Sequence, residues 1–334
     1  KMKKILLTCP PMINRINKYK KLIEKYNFEI EIPNFQQIMN EEELCEIIGN
    51  YDGWIIGDDP ATRKVFEKGK TGKLKTCIKW GVGTDNVDFD ACRDLNIPIT
   101  NIPQVFGEEV SDVAIGYLLC LSRKLHLIND GHKNNEWLKP SGETLVGKKV
   151  CLVGFGDVGR CIARKLLAFK LDIWVSDPAF SKSSTDGLII SGYGAGDMLI
   201  SLETLQELQK CNFDNLNNCL ENSNYIICCC PINNNTFHLI NKEKILLCKK
   251  GVKIINVGRG PVICEKDICE LLENGFIDSV GFDVFEEEPL SKENNLRNYK
   301  QNIFGSHNGS NTIEAVDKVS AIALEKLYGF LNLK

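Results

Sequence analysis

The sequence predicts an α/β protein built on two doubly wound parallel sheets. Three observations carry this expectation. Short buried strands alternate with charged helical segments over the first hundred residues, one compact strand–turn–helix–strand unit occupies 147–178, and further strand-like runs follow it. Such alternation builds a parallel sheet covered by helices, because each crossover must bring the chain back to the same end of the sheet. At 334 residues the chain exceeds one ordinary core, so two domains are expected.

Taken in order, "KKILLT" (3–8), "YDGWIIG" (51–57), "LKTCIKW" (74–80) and "IPIT" (97–100) read as short buried strands. Between them, segments such as "NEEELCEIIGN" have helical spacing and a closing Gly49. Residues 107–137 read as one long helical stretch that is apolar on more than one face. A helix on a single small domain needs less apolar surface, so burial between domains or subunits is expected. Within 147–178, Val150 to Val153 form a strand, Val158 to Phe169 have helical spacing, and "DIWVSD" is a second strand ending in Asp177. Residues 180–217 are polar and rich in Gly and Asn, and read partly as a surface insertion. The runs "NYIICCC" (224–230), "VKIINV" (252–257) and "SVGFDV" (279–284) complete the second sheet.

Composition narrows the function classes. Hydrophobic content of 43% and charged content of 25% are ordinary for a globular protein. A net charge of -3 offers no basic footprint, so no nucleic-acid partner is expected. The apolar runs are too short for a membrane span or a signal-peptide core, which predicts no membrane partner and a cytoplasmic location. Fifteen cysteines lie scattered in apolar stretches, among them Cys77, Cys120, Cys151, Cys228, Cys229 and Cys230, with no C-x-x-C pair. Buried reduced thiols and no metal site are therefore expected.

The stretch "KVCLVGFGDVGR" (149–160) ends an apolar strand in G-x-G-x-x-G. Gly154 permits the tight turn, Gly156 lets backbone N–H groups reach a pyrophosphate at the helix start, and Gly159 lets helix pack on strand. Asp177, 18 residues beyond Gly159, is placed to accept hydrogen bonds from ribose hydroxyls, which favours NAD over NADP.

Taken with these glycines, three stretches resemble the D-isomer-specific 2-hydroxyacid dehydrogenases: "KWGVGTDNVDFDACRDLNIPITNIPQVFGEEVSD" (79–112), "NVGRGPVICEKDICELLENGFIDSVGFDVFEEEPL" (256–290) and "GSHNGSNTIEA" (305–315). The resemblance implies an NAD-dependent enzyme with two Rossmann-like or flavodoxin-like domains and a cleft between them. It implies a discontinuous substrate-binding domain, 1–101 plus 309–334, and an NAD-binding domain, 102–308. A homodimer formed through the region around 107–150 is implied as well.

Residue by residue, the resemblance implies roles. Of four histidines, His126, His132 and His238 read as structural or surface residues, and His307 falls in the family's catalytic position. Glu288 matches the carboxylate that pairs with this histidine, and its charge would favour the imidazolium. Glu286 and Glu287 read as solvated neighbours. Arg259 matches the arginine that holds the substrate carboxylate, a bidentate task suited to guanidinium. Asp283 is expected at the nicotinamide carboxamide, Asp157 and Val158 at the pyrophosphate turn, and Cys230 and Pro231 near the adenosine. Val257 and Gly258 are expected beside the nicotinamide, with Gly309 also lining the cofactor. Val82 and Gly83 would cradle the substrate carboxylate by backbone N–H groups.

The expected reaction is hydride transfer between nicotinamide C4 and C2 of a D-2-hydroxy acid, with His307 carrying the proton. Resemblance is greatest to the phosphoglycerate dehydrogenase branch, which implies D-3-phosphoglycerate and a place in serine biosynthesis, with Lys79 meeting the phosphate. Asp58 and Asp59 argue against it, because they stand near where many of those enzymes carry a basic residue. A hydroxypyruvate or glyoxylate reductase, or a D-lactate-type dehydrogenase, keeps the same machinery. An NAD(H)-sensing scaffold similar to the C-terminal binding co-repressors also retains Arg259, Glu288 and His307.

Overall fold

The computed structural model describes residues 2–35, 37–182, 188–190 and 210–332. The chain divides into two compact units, one made of 1–106 with 310–334 and the other of 107–309.

The discontinuous unit carries a five-stranded parallel sheet. Its strands are β1 (Lys3–Leu7), β2 (Phe28–Glu31), β3 (Gly53–Ile56), β4 (Thr76–Lys79) and β5 (Ile99–Thr100), in the order β2-β1-β3-β4-β5. β1, β3 and β4 lie inside, and Ile5, Leu6, Leu7, Trp54, Ile55, Ile56, Cys77 and Ile78 are fully buried. This is the continuous apolar pattern of a sheet covered on both faces. β2, "FEIE", is absent from the expectations above, because a four-residue edge strand with alternating burial has no apolar run to announce it.

The C-terminal helix Ile313–Asn332 returns to this unit. It packs Leu327 against Gly53, where an added Cβ would lie 3.1 Å from the leucine methyl. Asp317 on that helix accepts from Arg15 Nε and Nη2 at 2.8 and 2.9 Å, from the Tyr19 hydroxyl at 2.9 Å, and from Lys18. The Arg15 and Lys18 hydrogen bonds hold the Asp317 carboxyl far below the usual carboxylate range. A depressed carboxyl stabilises the fold above its unfolded value, about 3.9, and that contribution is lost as the pH falls further. Asp317→Asn is therefore expected to lower Tm at pH 7, and the gap to wild type should shrink steadily from about pH 4 to pH 2. Thermal melts across that range check it; a gap that stays constant would remove the ion cluster as its cause.

The continuous unit carries a seven-stranded parallel sheet of β6 (Lys149–Val153), β7 (Asp172–Ser176), β10 (Asn212–Phe213), β11 (Tyr225–Cys228), β12 (Val252–Asn256), β13 (Ile277–Phe282) and β14 (Ile303–Phe304). Their order is β10-β7-β6-β11-β12-β13-β14. β8 (Phe180–Lys182) and β9 (Leu188–Ile190) form a separate antiparallel pair. The chain starts this sheet at β6, grows one way to β7 and β10, then crosses back to β11 and grows the other way. That reversal puts a topological switch point between β6 and β11, where doubly wound sheets bind ligands at the strands' carboxyl ends.

One expectation changes here. Residues 107–137 are two helices, Gly107–Arg123 and Leu125–Lys133, broken at Lys124, whose φ of 55° is left-handed and ends the first helix. The first helix buries Ala114, Leu118 and Leu121 in the core of its own unit. Within 180–217, read only partly as insertion, Cys211 and Phe213 are buried at β10, and the helix Leu216–Leu220 that runs past its end buries Cys219 and Leu220. Residues 183–187 and 191–209 lie outside the described residues. All fifteen cysteines are free thiols, and ten of them are buried. No helix among the described residues is long and apolar enough to cross a membrane.

Candidate active site

β6 runs straight into the glycine turn. Gly154 has φ +98°, and a Cβ on it would lie 2.9 Å from the backbone of Cys230, across the switch point. A side chain at Gly159 would lie 2.3 Å from the Gly154 carbonyl oxygen, so helix and strand meet at a separation only glycine allows. Gly156 differs: it is the N-cap of the helix Asp157–Ala168, and a Cβ there meets nothing within 4 Å. Its missing side chain leaves open space before the first-turn amides of Asp157, Val158 and Gly159.

Asp177 closes the far side of the turn. It is buried, and its two carboxylate oxygens accept the Phe155 N–H at 2.7 Å and the Ala179 N–H at 2.8 Å. One carboxylate thus ties the glycine turn to the end of β7. Cys230 is buried and Pro231 exposed after β11. Val257 is buried after β12, and a Cβ on Gly258 would stand 2.7 Å from the Cys230 carbonyl oxygen.

The turn after β12 presents Arg259. Asn256, buried at the strand's end, receives the Gly258 N–H on Oδ1 at 3.1 Å and donates from Nδ2 to the Arg259 carbonyl at 3.0 Å. Arg259 itself donates from Nη1 to the Gly258 carbonyl at 2.9 Å. Gly260 then lies so close to β13's exit that a Cβ would fall 1.8 Å from the Phe285 carbonyl oxygen. The arginine turn is therefore packed onto the loop that carries Glu288.

Glu288 and His307 form the centre of the site. His307 Nδ1 donates to Glu288 Oε2 at 2.7 Å, and Glu288 Oε1 accepts the Phe285 N–H at 2.9 Å. A carboxylate only accepts, so this pairing places a proton on Nδ1. The His307 side chain is 39% exposed, enough to reach a small molecule.

Asp283 holds the loop on which His307 stands. Its carbonyl accepts the His307 N–H at 2.7 Å. Its carboxylate accepts the Gly309 N–H at 2.8 Å, the Asn308 N–H at 3.3 Å and the Tyr117 hydroxyl at 3.2 Å. Burial first, then the charge of Asp283, push the Tyr117 hydroxyl well above its ordinary value, so it remains a donor. Tyr117, Asn256 and Gly260 are absent from the sequence expectations. "NVGRG" contains both Asn256 and Gly260, but no spacing rule links Tyr117 to residue 283.

The remaining expected residues lie in the discontinuous unit or outside this cluster. Lys79 is buried at the end of β4, and its Nζ donates to the Gly57 carbonyl at 2.5 Å and to Asp58 at 3.1 Å. Val82 is exposed, Gly83 half-buried, and the Val82 carbonyl accepts from Asn101 at 2.8 Å. Asp59 is fully buried, accepts the Met39 N–H at 2.9 Å, and has its carboxyl raised by that burial. His126 bonds the Gln301 carbonyl at 2.9 Å, and His132 packs edge-on against Trp137. Glu286 is not merely solvated: it accepts the Glu265 N–H at 2.9 Å and pairs with His238, also at 2.9 Å.

Residues 115–309, more than half of the chain, match the family model described as D-isomer specific 2-hydroxyacid dehydrogenase, NAD binding domain. The chain belongs to this family. A hydroxypyruvate reductase from Thermotoga maritima is 29% identical to this D-2-hydroxyacid dehydrogenase, over 91% of the chain and 92% of the relative. A D-3-phosphoglycerate dehydrogenase from Methanocaldococcus jannaschii is 30% identical over 98% of the chain, which spans 57% of that longer relative. The solved D-lactate dehydrogenase from Aquifex aeolicus, complexed with NAD and lactic acid, shares the fold with a TM-score of 0.79 at 21% identity, covering 98% and 95% of the two chains.

The protein is thus an oxidoreductase whose cofactor is NAD. Its residues fit that group. Gly154 and Gly159 make the close turn, and Gly156 leaves uncapped amides facing open space, the arrangement an anionic pyrophosphate needs. Asp177 stands at the end of β7, where a ribose would be recognised.

Proposed function

We propose that this dehydrogenase reduces a short, unphosphorylated 2-oxo acid of the hydroxypyruvate or glyoxylate type to its D-2-hydroxy acid. The observation that carries the substrate class is Lys79, the cation to which a phosphate would be assigned. Its ammonium is already engaged by the Gly57 carbonyl and by the Asp58 carboxylate. A phosphate dianion brought to that place meets a neutralised pair. Among relatives, hydroxypyruvate and glyoxylate reductases recur at 26–29% identity. Residues 107–309 are the NAD-binding part of this reading, and 1–106 with 310–334 the substrate part. Exposed Leu125, Trp137, Leu138 and Val146 favour a homodimer.

When bound, the reduced nicotinamide supplies the hydride to C2. His307 gives the Nε2 proton to the developing C2 alkoxide, while its Nδ1–H stays donated to Glu288, whose charge offsets that of the imidazolium. Arg259 holds the substrate carboxylate and the C2 oxygen in the plane of its guanidinium. The Asn256 clamp holds that arginine turn in place. In oxidation the same proton returns to His307.

Oxidation of D-3-phosphoglycerate is the second reading, favoured by the 30% identity to the Methanocaldococcus jannaschii enzyme. Turnover of NADH with hydroxypyruvate and glyoxylate, beside NAD reduction with D-3-phosphoglycerate, separates the two. The plain acids are expected to give the higher kcat/KM. Asp58→Asn leaves the Gly57 contact but removes the charge that neutralises Lys79, and should raise kcat/KM for the phosphorylated acid roughly tenfold or more, as expected when one charge-assisted contact becomes available. Preference of the wild-type protein for the phosphorylated acid would overturn the proposal.

A further inference from the structure

Three side chains that this chemistry leaves unused meet on the loops of the 107–309 unit. His238 stands on the segment after β11, Cys264 is the N-cap of the helix Glu265–Glu273, and Glu286 lies on the loop after β13. One donor atom from each lies within 4.8 Å of the other two. His238 Nε2 is 2.9 Å from Glu286 Oε1.

Backbone contacts fix this meeting. Ile240 and Ile263 form an isolated parallel bridge, the His238 N–H donates to the Pro261 carbonyl at 2.8 Å, and the Cys264 N–H to the Ile240 carbonyl at 3.0 Å. Glu286 and Glu265 each accept the other's N–H, at 2.9 and 2.7 Å, which locks the third loop to the helix start. His238 is held at φ 48°, a left-handed conformation that a non-glycine residue adopts only under the control of its surroundings. Its ring is stacked on Phe237, with centroids 4.0 Å apart.

We propose that His238, Cys264 and Glu286 bind a divalent transition-metal ion of zinc's borderline softness, with solvent completing the coordination. An imidazole, a thiol and a carboxylate together suit such an ion, whereas calcium and magnesium take oxygen alone. Ligand atoms on one tetrahedral zinc stand roughly 3.3–3.8 Å apart, given bonds of about 2.0–2.3 Å, so these donors need only small side-chain shifts. A histidine–glutamate pair accounts for two of the three groups, and the thiol, which also hydrogen-bonds Asp267, converges on the same point. As the metal–sulfur bond forms, the S–H bond breaks and the proton passes to solvent. The expectation of no metal rested on the lack of C-x-x-C spacing, and these ligands come from three separate loops that spacing cannot register.

Cobalt(II) titrated anaerobically into the chelator-treated, desalted full chain tests the site. A near-ultraviolet thiolate-to-cobalt band should rise to saturation at one equivalent and be displaced by zinc(II). The band should vanish in Cys264→Ser and persist in Cys45→Ser, and Glu286→Gln should weaken binding at least about tenfold. No saturable band in the wild-type chain, or an unchanged band in Cys264→Ser, overturns the proposal. Should Cys264→Ser fail to fold, unweakened binding in Glu286→Gln, whose residue lies at the surface, overturns it equally. Failure here leaves the reductase reading untouched, because that reading uses none of the three ligands.

Discussion

His307→Gln is expected to lower kcat by about 10²- to 10⁴-fold, the loss usual when a positioned proton donor is removed. Glutamine keeps the approximate length and can still donate toward Glu288, but it has no proton to give to an alkoxide. The side chain is partly exposed and takes no part in the core, so Tm should stay close to wild type. NADH affinity, read by fluorescence titration, should also hold, since the glycine turn and Asp177 are far along the chain and untouched. Glu288→Gln should fall between the two proteins. It removes the charge that offsets the imidazolium, yet its amide oxygen can still accept from Nδ1. A His307→Gln variant that keeps kcat within a few-fold of wild type would remove His307 as the proton donor. Equal losses of NADH affinity and kcat would instead point to collapse of the 305–309 loop.

Much of this architecture was legible in the sequence, for physical reasons that differ by element. Strands β6, β11 and β12 announce themselves because a parallel strand covered on both faces needs an unbroken apolar run. The glycine turn is legible because three local conformational demands fall at fixed spacing. Asp177 adds a tertiary demand at a distance the unit's length fixes. What stayed hidden depends on contacts between distant positions. Nothing local marks Lys124 as the end of a helix, since any lysine at that place reads as helix surface. Lys79 and Asp58 read as separate charges until β3 and β4 pair and set one beside the other. Glu286 reads as one member of an acidic run, but the backbone exchange with Glu265 singles it out. Tyr117 reads as one apolar residue among many on its helix, although its hydroxyl serves the catalytic loop.

That hidden support sets the second large effect. Asp283→Ala should cost about 3–5 kcal/mol of stability, because each hydrogen bond to a buried charge contributes roughly 1.5–3 kcal/mol and its loss leaves donors unpaired. The donors in question are the Gly309 and Asn308 N–H groups and the Tyr117 hydroxyl, gathered on one carboxylate that is 4% exposed. Gly305 shows how closely the loop is fitted to it, since a Cβ there would lie 2.0 Å from Asp283 Oδ1. The same loop places His307, so kcat should fall by 10²-fold or more in whatever fraction stays folded, as about one ångström of misplacement suffices for that. Tyr117→Phe separates loop support from cofactor contact. It removes one of the three donors and leaves the carboxylate and its two backbone N–H partners in place, so a loss near the low end of that range, about 1.5 kcal/mol, is expected, measured by urea unfolding. If Asp283 acts mainly by holding the loop, Tyr117→Phe should lower kcat several-fold with unchanged KM for NADH. If it acts mainly on the nicotinamide, KM for NADH should rise in Asp283→Ala while the unfolding midpoint barely moves.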